Sequence, residues 1–170
     1  AYPPQPYMEP SPLNKIAIDK ISGDIYLAGT FDLPTMVVDS TILINATINT
    51  GLNRKRDAFI VKFNSAGNFI WARSIGGSHQ DYVSDISVNN SAVFITGNFN
   101  SPSLNIGSTT LTNLNPTSWE RYLPFVAKFD TSGNPLWAKQ GDAVLSGLKS
   151  SRGKSVATDF TGNCYITGEF

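Results

Sequence analysis

An all-β fold assembled from repeated four-stranded antiparallel sheets is what this sequence predicts, and three observations predict it. The first is a phrase that occurs twice: AFIVKFNSAGNFIWA (58–72) and PFVAKFDTSGNPLWA (124–138) agree at seven of fifteen positions, at an offset of 66. The second is a phrase that occurs three times: DIYLAGTF (24–31), AVFITGNF (92–99) and CYITGEF (164–170), with Gly29, Gly97 and Gly168 in matching places. The third is the period. Phe59, Val61 and Phe63 alternate with Ile60 and Lys62, and Phe125, Ala127 and Phe129 repeat the first set. Alternation in β-branched and aromatic residues means strands. No segment shows a helical apolar face.

The elements follow in order. Residues 1–14 open with AYPPQPYMEPSP, five prolines in twelve residues, which reads as an extended linker or a strap along a surface. The first unit, 15–84, then runs through a strand (15–19), an ISGD turn, a strand (24–31), a small hairpin (35–45), a variable loop (46–57), a strand (58–63), a tight turn and a strand (69–75). Gly67-Asn68 supplies the positive φ that a tight hairpin needs. The second unit, 85–154, repeats this order: DISVN (85–89), the 92–99 strand, a hairpin at 103–113, a loop at 113–124, and two strands around Gly133-Asn134. SVATD (155–159) and the third phrase begin another unit, 155–170.

With the small hairpin set aside, each unit of about 68 residues is a four-stranded antiparallel sheet. Repeated sheets of this kind are the blades of a β-propeller, which bury both faces against their neighbours. The unit exceeds the 40–50 residues of common propeller repeats, and the extra hairpin and loop account for the excess. A β-solenoid is the alternative, though its coils are shorter. The repeated side chains are then architectural. Phe59, Phe63 and Trp71, with Phe125, Phe129 and Trp137, are expected in the inter-blade core, and Gly67 and Gly133 in the turns. Two blades and the start of a third make only a partial propeller, so the remaining blades are expected from a longer chain or from partner subunits. An open stack would expose apolar faces and strand edges.

DAFIVKFNSAGNFIWARSIGG (57–77), FVAKFDTSGNPLWAKQ (125–140) and DFTGNCYITGEF (159–170) resemble the bacterial seven-bladed β-propeller repeat. The resemblance covers nearly everything from residue 15 onward. Such repeats are frequent in large secreted or surface proteins of Bacteroidota-type bacteria, often as type IX secretion cargo. The resemblance therefore implies an extracellular or cell-surface location. Departures exist. Leu123 stands where Asp57 leads the first unit, Asn64 stands where Asp130 stands later, and the turn before Phe94 lacks Gly-Asn. They argue against a metal held by the same Asp in every blade. The turn also resembles the Trp-docking turn of quinone-dependent dehydrogenase propellers, but no cofactor-binding residues accompany it.

Composition excludes several function classes. Lys+Arg is 13 and Asp+Glu is 13, which leaves no surplus positive charge for a nucleic-acid groove or an anionic membrane surface. No apolar run is long enough for membrane insertion as a helix. The one cysteine, Cys164, makes no internal disulfide. It reads as a small buried hydrophobe.

Candidate chemistry is sparse. Trp71 and Trp137 could be aromatic sugar platforms, but recurrence beside the turn favours inter-blade packing. Lys62 and Lys128 could line a channel, or lay their stems along apolar neighbours. His79 beside Asp81 suggests a general base, without any nucleophile motif. Asn45-Ala-Thr and Asn89-Asn-Ser fit the glycosylation pattern by chance. Binding is sought in the loops that differ between units: Arg54 and Arg56 in one, Trp119, Arg121 and Tyr122 in the other, all read as exposed. A further long loop, 140–155, is a similar candidate. The resulting expectation is a non-catalytic, cofactor-free module for adhesion or for binding glycans or surface proteins. The alternatives are a structural subunit of a surface filament or secretion-system complex, and the propeller of a polysaccharide-active enzyme whose active site lies elsewhere.

Overall fold

A computed structural model describes residues 14–47, 55–89, 91–114, 116, 121–141 and 151–169. The Pro-rich stretch, Arg54, Trp119 and most of the 140–155 loop lie outside them. The first blade consists of β1 (Lys15–Ile18), β2 (Ile25–Phe31), the small hairpin β3 (Thr35–Val38) and β4 (Thr41–Ile44), β5 (Asp57–Phe63) and β6 (Phe69–Ile75). The second repeats it as β7 (Asp81–Asn89), β8 (Ala92–Phe99), β9 (Ser103–Ile106), β10 (Thr109–Thr112), β11 (Leu123–Asp130) and β12 (Pro135–Gln140). β13 (Arg152–Thr158) and β14 (Cys164–Glu169) follow. The sheets are β1-β2-β5-β6, β7-β8-β11-β12 and β13-β14, with each small hairpin apart. All pairings are antiparallel. The chain is thus a partial β-propeller of four-stranded blades.

Two strands start earlier than the alternation indicates. β7 begins at Asp81 rather than 85, and β13 at Arg152 rather than 155. Each carries a register shift near its start, between Val83 and Asp85 and between Gly153 and Ser155. A bulge breaks the period of two, so the pattern is legible only beyond it.

The tight turns are built from one side chain. Asn64 Oδ1 accepts the Ala66 and Asn68 N–H groups at 3.0 and 2.9 Å. Asp130 does the same for Ser132 and Asn134, and Asp159 for Thr161 and Asn163. Gly67, Gly133 and Gly162 follow at φ 83°, 80° and 91°, a region that L side chains avoid. Asn89 closes its turn without Gly-Asn, accepting the Ser91 and Ala92 N–H groups.

Each blade has two unlike faces. In the first, Ala28, Ile60 and Trp71 look toward the second blade and join its Val83, Ile86, Phe125 and Phe129 in one core. Phe59, Val61, Phe63 and Phe69 lie on the opposite face, with Leu43 and Met36 of the small hairpin. The expectation that Phe59, Phe63 and Trp71 share an inter-blade core is therefore corrected: Trp71 leaves the phenylalanines. The cause is a bulge. Phe63 pairs with Phe69 but Lys62 pairs with Trp71, so Ile70 is the extra residue. One inserted residue moves every later side chain to the other face. The second blade repeats it: Phe129 pairs with Pro135 and Lys128 with Trp137. There Phe125 and Phe129 do enter the core between blades. The aromatic side chains buried in that core contribute about 1.5–3 kcal/mol each.

Candidate interaction surface

The recurring polar residues turn out to join blades. Lys62 Nζ and Trp71 Nε1 both donate to the Thr131 carbonyl of the next blade's turn, at 3.2 and 3.1 Å. A Cβ on Gly133 would lie 2.8 Å from the Trp71 ring, so the positive-φ glycine also lets the turn lie flat on the indole. Lys62 is held from below by Asp24 Oδ2 at 2.8 Å and lies over the Tyr26 ring. Burial opposes its charge, but the Asp24 and Tyr26 contacts win and raise its pKa. Trp71 is thus a packing residue with its N–H satisfied by a carbonyl.

A second joint was not foreseen. Asn98 donates through Nδ2 to the Gly153 carbonyl at 3.0 Å and accepts the Gly153 N–H through Oδ1 at 2.8 Å. Its amide stitches β8 to β13 as a backbone group would. Asp85 Oδ2 likewise accepts Ser155 Oγ and the Val156 N–H. The only sequence signal for Asn98 is an amide in a strand that is otherwise apolar and small.

The strand registers divide the molecule into two ends. One carries the tight turns at 19–24, 64–68, 89–92, 130–134 and 159–163. The other holds the opposite strand ends, with the described parts of the connections that differ between blades. There the Arg56 carbonyl accepts the Asp81 N–H at 2.8 Å, and Tyr122 donates its hydroxyl to Gln80 Oε1 at 2.7 Å. Tyr122 is buried rather than exposed. It packs against Tyr82 with ring centroids 5.3 Å apart, and the Arg152 guanidinium lies over it at 5.5 Å. Arg56 and Arg121 are half-buried at this end. The Arg121 carbonyl accepts Asn113 Nδ2 at 2.9 Å, as the Lys55 carbonyl accepts Asn45 Nδ2 at 3.2 Å. The two asparagines close equivalent loops. Asn45 is buried, so its amide is not open to glycosylation.

Beneath this end lie two buried carboxylates, Asp57 and Asp81. The expected pairing of Asp81 with His79 is absent from the described contacts. Asp81 Oδ2 accepts Ser101 Oγ at 2.6 Å and the Gly77 N–H at 2.7 Å; Oδ1 accepts the Asn100 and Ser101 N–H groups at 3.2 Å. His79 instead meets Ser78 Oγ through Nδ1. Burial pushes Asp81 up to about 6, against those hydrogen bonds. Burial pushes Asp57 up to about 7; the Ala46 N–H opposes this and the Asp81 charge adds to it. Perturbed carboxylates can mark catalysis, but these close loops and fold the 76–80 connector. Among the described residues, no group of three His, Cys, Asp or Glu side chains gathers to hold a metal. Cys164 is half-buried against Phe94 and Val156.

No protein-family profile matches the chain. In an alignment of 166 positions that covers 91% of the chain, it is 28% identical to an uncharacterized WD repeat-containing protein of Acanthamoeba polyphaga mimivirus. It spans 11% of that protein's length. The likeness is to a β-propeller-type repeat, in keeping with the blades. Neither repeated Trp is followed by Asp here; both precede Ala.

Proposed function

We propose that this chain is a non-catalytic β-propeller segment that binds other proteins through its end of non-repeating loops. The observation that carries the reading is a division of labour. The recurring Lys62, Trp71 and Phe125 are taken up by packing between blades, whereas Arg56, Gln80 and Arg121 lie on connections at one end, where Tyr122 bonds to Gln80 and Arg152 at the head of β13 lies over its ring. Variable loops on a repeated scaffold suit partner recognition, and arginines beside a tyrosine are common interface anchors. The likeness to a WD repeat-containing protein supports an interaction role. A secreted or surface location, and adhesion to glycans or surface proteins, belong to this proposal through the bacterial repeat that the sequence resembles.

The test places a photo-crosslinking residue at Arg121, and separately at Ser132 on the opposite end, in the producing cells. A discrete protein adduct from position 121, weakened by Arg56→Glu and absent from position 132, is the expected result. Equal adducts from both positions, or none from 121, would overturn the reading. Protease shaving of intact cells checks the location: the chain should be cleaved from outside.

A further inference from the structure

We propose that the outer face of the β3–β4 hairpin docks another protein, through a segment of it whose aliphatic face is bordered by lysine or arginine. The contact uses side chains of the hairpin rather than the arginines of the loop end, so it does not rest on the function given above.

The two small hairpins hold the same place in their blades, β4 beside β6 and β10 beside β12. Their inner faces match: Met36, Val38 and Leu43 in the first and Leu104, Ile106 and Leu111 in the second all turn to apolar cores. Their outer faces do not match. In the second hairpin Asn105 pairs with Thr110 and Ser103 with Thr112, and all four are exposed. Thr110 donates its hydroxyl to Asn105 Oδ1 at 2.8 Å. In the first, Val37 pairs with Ile42 and Thr35 with Ile44. Val37, Ile42 and Ile44 are 66%, 62% and 66% exposed. A strand pair with one face in water ordinarily carries polar residues there, as the second hairpin does. This exposure is not owed to the open side of the first blade. That blade stands in front of the second hairpin, where β9 approaches β6, and buries Leu104 and Ile106 in the core between blades. It leaves Asn105, Thr110 and Thr112 in water. A blade in front of the first hairpin would in the same way cover Met36 and Val38 and leave Val37, Ile42 and Ile44 exposed.

Charge sets the kind of partner. Residues 32–47 carry two charged side chains, Asp32 and Asp39, and the matching residues 100–115 carry none. Asp39 stands at φ 52° where the second hairpin has Gly107 at φ 61°. An acid thus holds a left-handed position that glycine would take with less strain. An aliphatic centre with an acidic border fits an aliphatic centre with a basic border. A second copy fits poorly, because a two-fold contact sets the acidic border against itself. The same acids repel an anionic lipid surface. Three aliphatic side chains also fall short of the about 800 Å² per partner that a stable interface buries. The patch is therefore the centre of a wider contact, which the partner's basic border completes.

The test labels the isoleucine methyls of the full 170-residue chain and titrates it with two synthetic amphipathic helices. Both carry a leucine face, bordered by lysines in one and by glutamates in the other. The expected result is a saturable shift of the Ile42 and Ile44 methyl signals with the lysine-bordered helix, and binding at least about tenfold weaker with the other. Val37→Asn with Ile44→Thr should weaken the binding read at Ile42 at least about tenfold. The second hairpin already folds with Asn105 and Thr112 at those places, and the circular dichroism of the variant should be unchanged. Asp39→Gly should weaken binding about threefold and lessen its salt dependence. The proposal is overturned if Ile42 and Ile44 do not shift, if both helices bind alike, or if the double variant binds as the parent does. Shifts confined to Ile16 and Ile18 of β1 would overturn it too. Two titrations without helix examine the other occupants. Ile42 and Ile44 shifts that grow with protein concentration would assign the face to a second copy, and shifts on adding phosphatidylglycerol vesicles would assign it to a membrane; either overturns the proposal.

Discussion

β8 and β14 are nearly the same strand in two settings. Phe94, Ile95, Thr96 and Gly97 in one correspond to Tyr165, Ile166, Thr167 and Gly168 in the other. Phe94 is 1% exposed and Tyr165 59%; Ile95 is fully buried and Ile166 is 38% exposed. Each strand has its first-strand partner, β7 or β13. What differs is what surrounds them: β11 pairs with β8 and sets Phe125 against Gly97, and Phe94 is covered by Trp137 of β12 and Val156 of β13. The burial of a second strand is therefore a property of the strands around it, not of its own residues.

The largest test of this comparison is a pair of truncations. Phe94→Ala should cost about 3–5 kcal/mol of unfolding free energy, because it opens a cavity against Trp137 and Val156. Tyr165→Ala should cost less than about 1 kcal/mol, because the ring is largely in water already. Urea melts of the two variants give both values. Equal costs would mean that β14 is covered as well as β8.

The heads of the third strands differ too, Asp57 in one blade against Leu123 in the other, and the difference should appear as a pH dependence. Folded, Asp57 keeps its proton up to about 7 because it is buried; unfolded, it ionises near the ordinary value of 3.8. The stability this gives is complete below pH 4 and is lost as pH climbs through 7. Asp81, raised to about 6, acts in the same direction. The chain should therefore be less stable at pH 8 than at pH 4.5, by on the order of 2–4 kcal/mol. Asp57→Asn should flatten most of that slope, leaving the share due to Asp81. Urea midpoints across pH 4.5–8 read it, and an unchanged slope in the variant would exclude Asp57 as the source.

Trp71 and Trp137 show how much of this was legible in sequence. The repeat, the strands, the extra hairpin and the turns were all written in local patterns: period two, Asx residues and Gly-Asn pairs. The face taken by Trp71 was not. Simple alternation places it with Phe69, and only the bulged Ile70 turns it toward the next blade. The loop contacts of Asp57 and Asp81 and the Asn98 stitch to Gly153 escaped for a related reason, since each depends on residues from separate segments meeting in space. Tyr122 was misread because a Tyr in a polar loop carries no sign of the Tyr82 and Arg152 side chains that enclose it. The two tryptophans should also differ in worth. Trp71→Phe loses a hydrogen bond to Thr131 and part of its contact with Gly133, about 1–2 kcal/mol. Trp137→Phe should stay within about 0.5 kcal/mol, because Trp137 is only half-buried and a phenyl ring keeps the edge contact with Phe94.

The smallest effect concerns two turns of one design. Asp130 uses both carboxylate oxygens: Oδ1 takes the Ser132 and Asn134 N–H groups, and Oδ2 takes Asn134 Nδ2 at 2.8 Å. Those bonds hold its pKa below the ordinary value. Asn64 has only one acceptor oxygen, which is engaged by Ala66 and Asn68. Asn64→Asp gives the Asn68 amide a second acceptor in the geometry that Asn134 already uses. The gain should be about 0.5–1 kcal/mol at neutral pH. Asp130→Asn should lose a similar amount. Because the added bond goes to a carboxylate, the Asn64→Asp gain should vanish as the group is protonated at acid pH. A gain that persists in acid would place its origin in the unfolded chain rather than in the turn.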